Sequence, residues 1–206
     1  MTERPAIYVY RYFFAGEEAG EGRLEVRPLE AGVKATLTAE VNLPLPKTRQ
    51  RWQTETDAEG FSQYFAERVE GRESRVFTVE RLEEEGVVLV TQGKESLAFP
   101  FVAPYHDPLS LLLALPGLAL EPGDVARFSM PGGRVYVERL ADLHISPAGL
   151  TGEERRVRRH YRLRPGLTLV QLEEGLPVRI AQQVGDHVFE GVLEGVEEPK
   201  RRRRWV

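Results

Sequence analysis

Short runs of alternating apolar and polar residues recur along almost the whole chain, broken every ~8–12 residues by Gly, Pro or Glu-rich stretches, and that rhythm suits an antiparallel meander. Residues 32–42, GVKATLTAEVN, show it most cleanly. Val33, Ala35, Leu37, Ala39 and Val41 share one face and Lys34, Thr36, Thr38, Glu40 and Asn42 the other, which is the pattern of a strand with one face buried. Similar runs begin at IYVYRYFF and RLEVRPL and continue through RWQTET, GFSQYFAERV, ESRVFTVERL, GVVLVTQ and ESLAFPFV. After one interruption come DVARFSM, RVYVERL, LHISPAG, LTLVQLEE, PVRIAQQV and HVFEGVLEGV. GEEAGEG at 16–22 reads as a turn, Pro131-Gly132-Gly133 as a hairpin loop, and LPLPKTRQ, with prolines at 44 and 46, as an extended loop or edge.

The interruption is PYHDPLSLLLALPGL, residues 104–118. Asp is a favoured N-cap, Pro a favoured first helical residue, and the leucine run gives about two turns of helix before Pro116-Gly117 stops it. The spacing predicts a helix over about 108–115 with Asp107 as its structural cap. A catalytic reading of His106-Asp107 ranks well below the cap, because adjacent residues seldom aim at one reacting atom.

The first run places Tyr8, Tyr10, Tyr12 and Phe14 on one face and Ile7, Val9, Arg11 and Phe13 on the other. A strand apolar on both sides belongs where a sheet is covered twice, or where one face meets a ligand. Tyr8, Tyr10 and Tyr12 are therefore candidate ligand-binding residues.

A chain of 206 residues with 41% hydrophobic content can bury one core. We read residues 1–198 as a single β-rich domain, followed by a basic tail, PKRRRRWV, at 199–206. No repeat or Ser/Gly linker divides the chain. The net charge of −4, with 29% charged residues, gives no general attraction to nucleic acid or membrane. The absence of cysteine excludes disulfides, thiol catalysis and Cys-ligated metal centres. Lysine occurs only at 34, 47, 94 and 200, and Asn42 is the only asparagine, a bias that suits a heat-adapted source as well as an Arg-favouring genome. The N-terminus lacks the pattern of a signal peptide and no run is long enough to span a bilayer as a helix, so the expected location is cytoplasmic.

No GxSxG, Walker or GxGxxG motif occurs, and the histidines at 106, 144, 160 and 187 show no metal-binding spacing, so neither cofactor nor metal is expected. His187 and Glu190 would share a helix face, but their segment reads as a strand. EERRVRRHYRLR, residues 153–164, is the strongest charged feature. As a strand it aligns Arg156, Arg158, His160, Arg162 and Arg164 in a candidate anion-binding stripe that Arg201–Arg204 would reinforce. As a helix it would start in a Thr151/Glu154 capping box. The strand is preferred because Pro165-Gly166 and LTLV suit a hairpin, and cross-strand pairing with glutamate is the simpler use of the arginines.

Residues 107–140, DPLSLLLALPGLALEPGDVARFSMPGGRVYVERL, resemble the central signature of the bacterial family of domain of unknown function 3108: a D-P-L-S start, a short apolar helix, a step such as Leu118 to Gly123, then a β-hairpin. LTLVQLEEGLPVRIAQQVG is similar to the family's late strand, acidic turn and Leu-Pro-Val-Arg strand, and YVYRYFFAGEEAGEG to its opening strand. The resemblance spans most of residues 6–196. It implies a mostly β protein, a strongly curved sheet or incomplete barrel, with the helix packed across an opening. It brings no catalytic residues, and its members are usually exported, from which this N-terminus departs.

The fold expected is thus mainly β: an antiparallel meander forming a strongly curved sheet or incomplete barrel, with one short helix packed on it. The leading function is a noncatalytic domain that binds an apolar or amphipathic small molecule, or a protein partner, in the concavity. The alternative is an anion- or nucleic-acid-binding module built on the Arg stripe and tail, although the composition argues against nucleic acid. A His/carboxylate enzyme stands third.

Overall fold

The structure, a computed structural model, describes residues 5–43, 46–72, 74–145 and 156–198. The tail at 199–206 and the possible capping box at Thr151 and Glu154 lie outside these residues.

Among the described residues fourteen strands form one antiparallel sheet. The first eight are β1 (Ala6–Phe14), β2 (Glu17–Leu29), β3 (Gly32–Val41), β4 (Thr48–Thr56), β5 (Ser62–Glu70), β6 (Arg75–Leu82), β7 (Val87–Gln92) and β8 (Glu95–Pro100). A crossing segment then carries the helix α1 (Pro108–Ala114) and a short 3-10 turn at Leu115–Gly117. The rest are β9 (Val125–Met130), β10 (Gly133–Ile145), β11 (Arg156–Arg164), β12 (Thr168–Glu173), β13 (Leu176–Val184) and β14 (His187–Glu197).

The strand order is β8 to β1, then β14 back to β9. The chain builds one wing outward from the centre, crosses over, and returns through the other until β14 pairs with β1, Ile7 opposite Glu197. The sheet does not close: β8 and β9 are its two edges. Register shifts where β1 meets β14 and β2, β4 meets β5, β10 meets β11 and β12 meets β13 bend it, because an extra residue in one strand kinks the ladder and raises its twist.

One face of this curved sheet holds the core. The buried Tyr8, Tyr10 and Tyr12 of β1 continue laterally into Leu24, Leu37 and Trp52 on one side and Ile180, Val170 and Tyr161 on the other. The GEEAGEG segment, expected as a turn, is instead the start of β2, and only Ala15-Gly16 turn the chain. Its glycines are needed in the strand. A Cβ on Gly22 would stand 2.2 Å from the Tyr12 hydroxyl, and one on Gly191 of β14 would stand 2.8 Å from the same ring. Tyr12 thus lies flat across both neighbouring strands and fills the space their missing side chains leave. On the outer face Ile7, Val9 and Phe13 are half-buried among long ionic side chains, with Arg11 held by Glu18 at 3.1 Å and Glu194 at 2.6 Å; the aliphatic stems of such residues cover apolar surface.

Candidate functional site

The helix forms where the sequence predicts it. Asp107 Oδ1 accepts hydrogen bonds from the amides of Leu109 (2.8 Å) and Ser110 (3.0 Å), and the Ser110 hydroxyl accepts the Asp107 amide at 2.8 Å. Asp107 Oδ2 accepts the hydroxyl of the fully buried Thr54, at 2.5 Å, which fixes the start of α1 against β4. From there α1 crosses between the wings. Leu109 packs into the cluster of Tyr8, Tyr10 and Leu24, whereas Leu111 and Leu115 pack with Val137, Tyr161 and Val170.

The sequence pair His106-Asp107 does not act as one unit. The acceptors of Asp107 are taken by backbone amides and Thr54, while the His106 ring packs between Phe61 (5.1 Å, tilted) and Phe128 (5.4 Å, edge-on) and lies 3.4 Å from the Ser110 hydroxyl. Both residues are buried. Burial holds the imidazole below its ordinary pKa, against the opposing pull of Asp107 and Asp57. The His106 amide donates to Ser129 of β9 and the carbonyl of Tyr105 accepts from Ser62 of β5, each at 2.9 Å, so this segment laces the two wings together.

Between α1 and the inner face of the sheet lies a cavity of about 630 Å³. Leu109, Leu111 and Leu112 of α1 form one wall, and Tyr10, Tyr12 and Trp52 contribute aromatic surface. The lining grades from buried Tyr10, Leu24 and Val170 to exposed Pro165 and Val184, so the cavity opens to solvent beside the β11–β12 turn and the end of β13. Polar groups are few and mostly uncharged: Thr48 and Gln50 on β4, Thr168 and Gln182 paired across β12 and β13. Glu67 is the one formally charged side chain on the wall among the described residues. Its Oε1 accepts Trp52 Nε1 at 3.3 Å and Arg75 at 3.0 Å.

Of the predicted ligand-binding tyrosines, Tyr10 and Tyr12 line this cavity, and Tyr8 is buried in the adjoining core. The Tyr10 hydroxyl donates to the Pro177 carbonyl at 2.9 Å. Burial, reinforced by Tyr12 and Tyr8, raises its pKa far above that of a free phenol, and burial pushes Tyr12 up to about 12. Both rings present neutral, largely apolar surface. Trp52, Glu67 and the glycine cradle were not singled out by sequence reasoning. The signal for Trp52 was there: in RWQTET it shares a face with Thr54 and Thr56, opposite Arg51, Gln53 and Glu55.

The basic stripe forms a strand, but Arg158, Arg162 and Arg164 are engaged. Arg158 pairs with Glu173 at 2.8 Å, and Arg162 and Arg164 both pair with Glu138, at 3.1 and 2.6 Å. His160 is half-buried, and its pKa is lowered by burial and by Arg179, Arg139 and Arg162. The side chain of Arg156 lies outside the described residues, as does the basic tail. No helix among the described residues is long and apolar enough to cross a membrane.

No family model and no curated protein matches the chain. Among solved structures it is similar to the crystal structure of a β-barrel-like protein of domain of unknown function DUF1849 from Brucella abortus. The likeness has a TM-score of 0.62 at 13% identity and covers 97% of this chain and 100% of that one. The β-barrel-like architecture is therefore shared along the full length of that chain, with the sheet here left unclosed.

Proposed function

We propose that the chain is a noncatalytic β-domain that holds an apolar or amphipathic small molecule in the concavity between its sheet and α1. The observation that carries this reading is the cavity of about 630 Å³, lined by aliphatic and aromatic side chains with a few separated polar groups. That size and lining suit a small-molecule site. The alternative, an anion-binding module, has less support, because Arg158, Arg162 and Arg164 already have carboxylate partners. We extend the proposal to kinship with the domain of unknown function 3108 family: the D-P-L-S start caps a short helix and a β9–β10 hairpin follows, as that resemblance implies.

The test uses 1-dodecanol, native mass spectrometry and the emission of Trp52, the only tryptophan besides Trp205 in the tail. Dodecanol should bind and shift the emission, and Trp52→Phe should abolish the shift. Ala39→Phe, which puts a ring into the cavity from β3, should prevent binding while leaving the thermal transition intact. A wild-type protein that neither carries a bound apolar molecule nor responds to saturating dodecanol would overturn the proposal.

A further inference from the structure

We infer that the cavity selects amphiphiles whose head group is non-anionic and donates hydrogen bonds, an ammonium or hydroxyl head, and that Glu67 sets this selectivity. The inference rests on the cavity reading above and adds the chemical class of its ligand.

Among the described residues the wall carries no cation. Thr48, Gln50, Thr168 and Gln182 are neutral, and Glu67 is the only formally charged side chain on it among the described residues. In one row of the inner face Glu67 sits opposite Trp52 on one side and Phe77 on the other, so its carboxylate emerges from an aromatic surround and its side chain is only 18% exposed. Charge in such a setting acts strongly on a neighbour, because little water lies between them.

Glu67 is also incompletely satisfied. Trp52 Nε1 and Arg75 both reach Oε1, and among the described residues no donor reaches Oε2. A carboxylate has acceptor sites on both oxygens, so the carboxylate retains acceptor capacity beside the cavity. Arg75 does not compensate for it as a fixed cation of the site would: its side chain is 63% exposed, and exposed ion pairs hold their partners weakly. An incoming carboxylate or phosphate head would face like charge, whereas an ammonium or hydroxyl would find a free acceptor one row from the apolar floor.

The experiment compares three probes of one chain length below their micellar concentrations, dodecylammonium, 1-dodecanol and dodecanoate, read by Trp52 emission and by calorimetry at pH 7.5. Wild type should bind dodecylammonium at least about tenfold tighter than dodecanoate, with dodecanol above dodecanoate. Glu67→Gln keeps the shape and the acceptor for Trp52, and should bring the two charged probes within about twofold. That variant also separates a local effect from attraction to the chain's net charge of −4. Arg75→Gln, at an exposed position, gives a second measurement independent of how Glu67→Gln folds, and should widen the preference for dodecylammonium. Equal binding of dodecylammonium and dodecanoate to wild type, or an unchanged ratio in Glu67→Gln, overturns the inference. If dodecanol also fails to bind, the cavity reading itself has failed; if dodecanol binds and the ratio is flat, only the selectivity has.

Discussion

Replacing Asp107 with alanine should destabilise the fold by about 3 kcal/mol, assembled from two contributions. The first is the cap. Asp107 Oδ1 serves the Leu109 and Ser110 amides at 2.8 and 3.0 Å, and loss of such a cap costs about 1 kcal/mol. The second is Thr54, which is 0% exposed and donates to Asp107 Oδ2. Deprived of that acceptor it becomes a buried unsatisfied hydroxyl, which costs about 1–3 kcal/mol. Two controls isolate the terms. Asp107→Asn keeps an oxygen for the amides and turns its NH₂ toward the Thr54 oxygen, so it should cost far less. In the double variant Thr54→Val/Asp107→Ala the orphaned hydroxyl is gone, so the loss should fall short of the sum of the two single variants. Urea unfolding followed by fluorescence and far-UV circular dichroism measures all of these as shifts in midpoint at constant slope. A loss below about 1 kcal/mol for Asp107→Ala, smaller than a cap alone supplies, would refute the reasoning.

Three further outcomes follow from other parts of the molecule. Gly22→Ala should destabilise by about 1–3 kcal/mol through forced displacement of a packed ring, since the new Cβ meets Tyr12 at 2.2 Å, and Tyr12→Ala in the same chain should relieve most of that loss in an unfolding cycle. His106 and His160 both titrate below the ordinary imidazole value of 6.5. The unfolded chain therefore binds protons that the folded chain refuses, and stability present above pH 6.5 should fall as the pH drops below it; His106→Phe should flatten that slope in melts taken between about pH 7 and 5. Finally, Glu138→Gln/Glu173→Gln should release Arg158, Arg162 and Arg164, and salt-dependent retention on heparin should increase over wild type, whereas unchanged retention would mean that pairing does not restrain these arginines.

The strands were legible because a half-buried strand writes its period directly into the sequence, as Val33 to Val41 do. The helix was legible for a different reason: Asp107, Pro108 and Pro116 are start and stop signals whose effect is local. The start of β2 was not. Gly20 and Gly22 carry the signature of a turn, and only neighbours in space, the Glu40 carbonyl against Gly20 and the Tyr12 ring against Gly22, make glycine the fitting strand residue there. Glu67 was hidden by ambiguity. In SQYFAERVE each face carries apolar and charged residues, Phe65, Glu67 and Val69 against Tyr64, Ala66 and Arg68, so alternation alone cannot say which set points inward. The pairing of Thr54 with Phe65 and of Trp52 with Glu67 decides it. The engagement of the Arg stripe is likewise a matter of register, since Glu138 faces Arg162 only once β10 and β11 are aligned.

The topology makes stability and the proposed binding depend on α1 in separable ways. Among the described residues the wings are joined by hydrogen-bonded strands only at the centre, through β1 and β14, and α1 ties them again across the concavity, with Leu109 on one side and Leu111 and Leu115 on the other. Each such leucine contributes about 1.5–3 kcal/mol when fully buried, so the helix clamps the wings as well as walling the cavity. Asp107→Ala loosens the clamp, and should weaken dodecanol binding although Asp107 is not on the cavity wall. Ala39→Phe occupies the cavity and leaves the clamp alone, so it should remove binding with little loss of stability. Saturating ligand should then raise the unfolding free energy of wild type by about 2.7 kcal/mol at a hundredfold excess over Kd, and do nothing for Ala39→Phe. Equal stabilisation of the two proteins by dodecanol would place the ligand somewhere other than between the sheet and α1.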